Sequence, residues 1–427
     1  MAVGITAVCA SSLVAGSSAV SRGGVTNFNA GLNRPVGAPA GMEKQLVLGS
    51  TKLCDSFDPA LSFDAWCGVI MRMYARNVVS FAGQAGDRGL EIVPDLAKKM
   101  PKVSKDFTKW TYRLRDDALW DDGTPVTSED IRYSIERLFD PDFLGVVSQD
   151  NMCLLVTCSA GKPDYEGPQA GKHLASIKTP DATTISFTLT RPYALWNNIL
   201  ALPQFAPIEK AREIALNLEG REYSSAPASN GPFILTVADD DTTADFLPNP
   251  TWHQYSDGIR VPQVTAMKWN IFTKEDDLDA ALLRGEVDVR IDRGLGAATR
   301  EAIALDPALK KYTDQSPTGS VNYLALVPTA EPLDRKACRQ AIAFALDKNE
   351  LATIRGGAEV AMPTGSIISP MLPGGGSNSD MYPVGADGTG NLDAARNKLI
   401  ECGYPDGFEI KMAYVTLGVG QSTYESV

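Results

Sequence analysis

The segment LWDDGTPVTSEDIRYSIERL, residues 119–138, places acidic side chains on both sides of a Gly-Thr-Pro turn. Asp121, Asp122, Glu129 and Asp130 are therefore candidates for metal ligands or for acid–base catalysts. A calcium-binding loop needs oxygen ligands at alternate positions leading up to a glycine, but tryptophan and alanine occupy two of those positions here. The spacing disfavours a calcium site. A pair of carboxylates for acid–base chemistry stays open, although the neighbouring sequence supplies no nucleophile.

A structural interpretation uses every residue of this segment. The alternation of apolar and polar residues before it predicts a strand, which ends at an Asp122-Gly123 turn followed by Pro125. Thr127 is positioned to cap a helix, and Asp130 three residues later makes an imperfect capping box. Three apolar residues at helical spacing predict the buried face of that helix: Ile131, Ile135 and Leu138. We therefore expect a turn and a capped helix here rather than a reactive site.

Composition limits the class of function. The chain has 427 residues, which favours two or three structural units. Its net charge of −12, without a long basic run, disfavours nucleic acid as a partner. The two histidines, His173 and His253, lie far apart in the sequence, so we expect no metal site, no cofactor and no His-dependent catalysis. No GxSxG, HExxH, P-loop or GxGxxG motif is present, and we expect a protein that is not an enzyme.

The amino-terminal segment is typical of an exported protein. Residues 1–20 are apolar and rich in small residues, like the later part of a secretory signal peptide, with a disordered cytosolic tail as the alternative. A Ser-, Gly-, Ala- and Asn-rich stretch then runs to about Met42 and predicts a flexible tether. Cys9 is a candidate for lipid attachment, although Thr6-Ala7-Val8 matches a lipoprotein cleavage box poorly.

Six further cysteines predict disulfide bonds. Two pairs are close in sequence and a third pair remains: Cys54 with Cys67, Cys153 with Cys158, and Cys338 with Cys402. None of them has CxxC spacing, and no histidine lies nearby, which disfavours zinc and redox motifs. We expect two or three disulfides in an exported protein, with buried free thiols as the alternative.

The other patterns alternate between short strands and helices, which predicts a mixed α/β fold. Residues 228–250 are typical of a hairpin around an acidic turn, and residues 274–291 of a helix, a glycine stop and a strand. VNYLALVPT, residues 321–329, predicts an apolar strand, and FEIKMAYVTL, residues 408–417, a last strand. Four residues of the helix after the first of these strands should point inward: Ala337, Ile342, Ala345 and Leu346.

Taken in order, the motifs resemble family 5 of the extracellular solute-binding proteins of ABC importers, the oligopeptide- and dipeptide-binding type. LEIVPDLAKKM, residues 90–100, and KWTYRLRDDALWDDGTPVTSEDIRYSIERLFDP, residues 109–141, match that family's signature region. The resemblance continues through FDPALSFD, SNGPFIL, LPNPTW, LLRGEVDV and ECGYPDGF, and it spans about residues 44–412. The cysteines in ACRQA and ECGYPDG are most similar to actinobacterial lipoprotein members, which favours the pair Cys338–Cys402.

The resemblance implies a type II periplasmic-binding-protein-like α/β fold of two lobes joined by a hinge. Residues 1–43 would be signal and tether, residues 44–315 lobe I with a subdomain inserted at about 76–224, and residues 316–427 a partial lobe II. The implied function is capture of a peptide or similar small solute by lobe closure, followed by docking on ABC permease subunits. The protein would be extracellular, attached to the outer face of the cytoplasmic membrane only through a lipid anchor.

One loop carries four of the ligand-contact candidates that the resemblance implies. Phe63, Asp64, Ala65 and Trp66 match the segment that faces the ligand in the family. Phe63 and Trp66 could equally pack in the core.

The other four candidates lie in two later segments. Asn230 and Gly231, in SNGPF, match the place where lobe I approaches the cleft, and a tight turn is the alternative. Asn322 and Tyr323 match the place where the hinge enters lobe II, with core packing as the alternative for Tyr323.

The sequence departs from the family pattern at its carboxyl end. Members of the family continue well past residue 417, completing lobe II and returning to lobe I. The aspartate that receives the amino terminus of a bound peptide lies in that later part, so no residue here takes over its role. We therefore expect an incomplete second lobe with exposed apolar surface. The alternative function is that of an accessory or interaction protein derived from the family scaffold.

Overall fold

The computed structural model describes residues 45–412, apart from 63, 85, 142–148, 160–161, 239–240, 293, 311–312, 314–320, 356, 358–359, 370–380 and 387. These residues divide into two units, one ending at Pro307 and the other beginning at Ala308. The lobe boundary expected near residue 315 falls outside the described residues, so the lobe division stays a prediction.

The strands of the described residues are short, and all lie in the first unit. They are β1 Gln45–Ser50, β2 Val79–Phe81, β3 Ile92–Pro94, β4 Lys102–Val103, β5 Lys109–Arg113, β6 Cys158–Ser159, β7 Lys162–Pro163, β8 Ile177–Asp181, β9 Thr184–Thr188, β10 Phe233–Val237, β11 Thr243–Pro248, β12 Ala266–Ile271 and β13 Val289–Arg290.

The helices are distributed over both units. They are α1 Ala65–Met71, α2 Ser128–Arg137, α3 Gln149–Met152, α4 Trp196–Leu200, α5 Lys210–Leu218, α6 Glu275–Arg284, α7 Ala297–Leu305, α8 Pro307–Lys310, α9 Lys336–Ala345, α10 Lys348–Ile354 and α11 Leu392–Cys402. Within the described part of the chain, none of the helices has the length and apolar character needed to cross a membrane.

The first unit is built on a five-stranded sheet in the order β10-β11-β12-β1-β13. β1 is parallel to both of its neighbours, and Leu48 lies opposite Trp269 on one side and Val289 on the other. β10 and β11 form an antiparallel hairpin, as the sequence predicts. Gly285 ends α6 in a left-handed conformation, with φ of +76°, and the chain then continues into β13, which confirms the predicted helix, stop and strand.

A second, antiparallel sheet in the order β4-β5-β9-β8 lies within residues 102–188 of this unit. Its strands alternate as predicted, because Trp110 and Tyr112 on β5 pair with Phe187 and Ile185 on β9 and all four are buried. α2 packs against this sheet through β8 and β9.

The segment at 119–138 is the predicted turn and capped helix. The hydroxyl of Thr127 accepts a hydrogen bond from the amide of Asp130 at 3.3 Å, and the Asp130 carboxylate accepts one from the amide of Thr127 at 2.8 Å. Gly123 forms the turn with φ of +89°, which favours glycine. Ile131 and Ile135 are fully buried. The structural interpretation of this segment is therefore confirmed.

All three predicted cysteine pairs are disulfides: Cys54–Cys67, Cys153–Cys158 and Cys338–Cys402. The first joins the loop after β1 to helix α1, and the third joins α9 to α11. Cys9 lies outside the described residues.

The second unit has little buried apolar surface. Its described hydrophobic side chains that are buried are Cys338, Ala341, Ala395 and Cys402, all at the contact between α9 and α11. Ten large apolar side chains among the described residues of this unit are exposed, including Met381 and Ile400. The expected exposed apolar surface is therefore present.

Two expectations for this unit are wrong, and a third fails over the residues that the structure describes. Residues 321–327 run without helix or strand, since the described part of the unit offers no strand with which they could pair. Ala345 is exposed, because the face of α9 that packs on α11 is set by Cys338 and Ala341 instead. Residues 408–412 also form no strand, and the rest of the last predicted strand lies outside the described residues.

Candidate functional site

The carboxyl ends of three parallel strands meet at one edge of the first unit. β12, β1 and β13 run side by side in the same direction, so residues that follow them lie at the same edge of the sheet. In open α/β sheets this edge is where ligands commonly bind. The loop that follows β1 leads directly into α1, and the predicted residues Asp64, Ala65 and Trp66 lie at this junction. We therefore take this edge as the candidate site.

A small ion cluster lies on the loop after β1. The ammonium of Lys52 donates to Asp64 at 2.6 Å and to Asp55 at 3.2 Å. The three side chains are 49%, 30% and 43% exposed respectively, so solvent and solutes can reach them. The hydrogen bond from Lys52 is the main reason that the pKa of Asp64 is lowered. The same hydrogen bond raises the pKa of Lys52. The cluster therefore keeps both signs of charge at neutral pH.

Asp64 and Trp66 sit at the start of α1. Asp64 is the residue before the helix, but its side chain caps no helix amide and reaches Lys52 instead. Ala65 is the first residue of α1, and Phe63 lies outside the described residues. Trp66 is half-buried and contacts Trp269 edge to face, with ring centroids 5.8 Å apart. Packing thus accounts for one side of Trp66 and leaves the other partly exposed.

The described charged groups at the end of β13 are held by buried contacts. Thr51 donates to Asp292 through its amide at 2.8 Å and its hydroxyl at 2.6 Å. Arg290 donates to Asp292, Asp279 and Glu275, and the Arg290 side chain is 3% exposed. These contacts tie β1 to β13 and α6. Among the described residues that follow β1 and β13, the solvent-facing charged groups are Lys52, Asp55 and Asp64.

Asn230 and Gly231 have packing roles in the structure. The amides of both residues donate to the carbonyl of Tyr74 at 3.0 Å, and the Asn230 side chain accepts from the amide of Arg76 at 2.8 Å. A Cβ on Gly231 would lie 2.9 Å from the carbonyl oxygen of Met73, so only glycine allows this close approach. Both residues are buried. A role in ligand binding stays a prediction.

Asn322 and Tyr323 belong to the second unit. Both are exposed, and Tyr323 is 68% exposed, so core packing does not explain this tyrosine in the described unit. Their role as ligand contacts also stays a prediction.

Sequence reasoning missed the residues that hold the loop after β1 in place. Asp58 accepts from the amide of Ala60 at 2.9 Å and binds both terminal nitrogens of Arg137 at 2.6 and 3.2 Å. Arg137 is the last residue of α2 and also contacts Glu213 on α5 at 2.7 Å. Lys52 follows the observed end of β1 by two residues, and no local sequence signal marks it as a partner of Asp64. No local sequence pattern predicts that Asp58 binds Arg137.

The mixed α/β fold, with its parallel edge and the loop that follows β1, is that of the type II periplasmic binding proteins. Residues 91–426 match the model of the bacterial extracellular solute-binding proteins, family 5 middle region. That match covers more than half of the sequence, and the chain belongs to this family.

Three named proteins are similar to this chain, one in structure and two in sequence. The solved structure of clavulanic acid biosynthesis oligopeptide binding protein 2 is 32% identical, with a TM-score of 0.78 over 90% of this chain and 68% of that one. The probable D,D-dipeptide-binding periplasmic protein DdpA of Escherichia coli K12 is 26% identical over 74% of this chain and 55% of its own length. The dipeptide-binding protein DppE of Bacillus subtilis 168 is 24% identical over 72% and 53%. The chain spans about half the length of these two curated relatives.

Proposed function

We propose that the protein captures a peptide or similar small solute for an ABC importer, without turnover. The observation that carries this proposal is membership of a solute-binding family combined with an exposed polar loop at the carboxyl edge of the parallel strands. The names of the relatives favour peptides and favour binding over the accessory-protein alternative. Capture by closure of two lobes, and docking on permease subunits, are part of the proposal.

Calorimetry against di- to pentapeptides tests the binding activity. We expect at least one peptide to bind with a Kd well below about 1 mM, the range of weak specific contacts, and to be recovered intact by mass spectrometry. No heat with any peptide at that concentration would contradict the proposal, and recovery of cleaved peptide would contradict the claim that the protein does not act as an enzyme.

A matched pair of variants tests the site. Asp64→Ala removes the carboxylate from Lys52 and should weaken peptide binding by about tenfold, a loss typical of a residue in contact with ligand. Asp116→Ala removes a comparable surface ion pair, which Asp116 makes with Lys98 at 2.9 Å, and should leave the Kd unchanged. Equal effects of the two variants would remove the support for a site at this edge.

We further propose that the protein lies outside the cell, held at the outer face of the cytoplasmic membrane by a lipid on Cys9. What supports it is the cysteine within an apolar amino-terminal segment and the predicted tether after it. Labelled fatty acid should be incorporated into the wild-type protein and not into the Cys9→Ser variant. Equal labelling of both proteins would exclude this anchor.

A further inference from the structure

The loop between β1 and α1 is fastened at both of its ends. Its disulfide joins Cys54 to Cys67, and both cysteines are buried. The ion pair between Lys52 and Asp64 joins the same two segments as that bridge. Lys52 lies two positions before Cys54, and Asp64 lies three positions before Cys67. Since two links join the same short segments, the Asp64 carboxylate has a defined place relative to the end of β1.

Lys52 controls the charge of this exposed cluster. One ammonium faces two carboxylates, so the cluster of Lys52, Asp55 and Asp64 carries a net charge of −1. The partly exposed Trp66 is the second residue of the helix that follows Asp64, and an indole face attracts cations. The neighbouring Asp292 adds no exposed charge, because its side chain is 2% exposed and bound to Arg290 and Thr51. The carboxylates of Asp55 and Asp64 therefore attract an ammonium group on a solute, and the positive charge of Lys52 weakens this attraction.

We propose that Lys52 is a specificity-determining residue of the solute site, which sets how strongly this edge prefers a solute with an ammonium group over a neutral one. The inference rests on the proposed function. Removal of the Lys52 charge leaves two carboxylates facing the solute. At roughly 6 Å in a medium close to water, one unit of charge changes the preference about threefold to tenfold.

The test compares retention of two peptide pools on the full chain. Equimolar libraries of tripeptides that each contain one lysine, with its side-chain amine either free or acetylated, are incubated with the protein, and the retained peptides are quantified by mass spectrometry. Lys52→Met should raise the ratio of free to acetylated peptides about threefold to tenfold relative to wild type. Lys52→Arg keeps the charge and should keep the wild-type ratio. The shift caused by Lys52→Met should shrink at 1 M salt, where charges are screened beyond ~3 Å.

The outcomes separate the inference from the function on which it rests. A wild-type ratio in Lys52→Met, a shift toward acetylated peptides, or the same shift in Lys52→Arg overturns the charge-selecting role while peptide binding stands. Retention of neither library by wild type overturns the proposed peptide function and this inference together. Urea unfolding of each variant, followed by tryptophan fluorescence, shows whether a changed ratio comes from a folded protein.

Discussion

Replacement of Arg137 by methionine tests how the carboxyl end of α2 supports the candidate site. The guanidinium binds Asp58 and Glu213 in a region where the three side chains are 5%, 3% and 9% exposed. Arg137→Met keeps the apolar stem and leaves two buried carboxylates without their cation. Breaking a buried pair in this way costs about 3–5 kcal/mol. We expect that loss in the free energy of unfolding of the first unit.

The assay is urea unfolding followed by tryptophan fluorescence. All six tryptophans lie in the first unit, so the signal reports on that unit alone: Trp66, Trp110, Trp120, Trp196, Trp252 and Trp269. Arg284→Met is the matched control, because its partner Glu286 lies 2.8 Å away and both side chains are more than half exposed. Such a surface pair contributes about 0–1 kcal/mol.

A double-mutant cycle sharpens this test. Adding Asp58→Asn to Arg137→Met removes one of the stranded charges, so the double variant should recover part of the loss. A cost for Arg137→Met no larger than that of the Arg284→Met control, or strict additivity with Asp58→Asn, would refute the buried clamp.

Three further predictions concern other parts of the chain. Burial raises the pKa of Glu209 to about 7 from the 4.5 of an unperturbed group; its stabilising contribution is therefore complete below pH 4.5 and lost as the pH rises through 7. Glu209→Gln should accordingly gain more urea resistance over wild type at pH 8 than at pH 5, and an equal gain at both values would contradict this. Gly231→Ala should cost about 1–3 kcal/mol from overpacking, while Gly258→Ala, where a Cβ meets nothing within 4 Å, should cost far less in the same urea assay. Replacing Cys338 and Cys402 by alanine opens a loop with a sequence separation of 64 and should destabilise the second unit by about 4 kcal/mol, seen as faster proteolysis of that unit with unchanged tryptophan fluorescence.

Much of the first unit could be predicted from local sequence because its signals are local. The capping box needs only Thr127 and Asp130, and the alternation on β5 and β9 follows from the two-residue period of a strand. The disulfides followed from sequence proximity and from the family resemblance. In the second unit, where few described apolar groups are buried, the same rules predicted a strand at 321–329 that is not formed.

The candidate site was only partly predictable, since its contacts join distant segments. Asp64 was predicted through the family motif, but its partner Lys52 and the 79-residue link from Asp58 to Arg137 depend on tertiary packing. Asn230 shows the opposite case. Its motif predicted a ligand contact, and the structure gives it hydrogen bonds to the backbone of the segment after α1, which a sequence motif cannot distinguish from binding.

The central position of β1 has a consequence for synthesis of the chain. The amide of Val47 donates to Asp288, which lies 241 positions later, and the partners of β1 among the described strands are β12 and β13. At about 5–20 residues per second, translation needs roughly 10–50 s to deliver those partners. During that interval the apolar residues of β1 have no native strand to join. The nascent chain therefore passes through a long stage in which this sheet cannot form, and chaperones have that time in which to bind it.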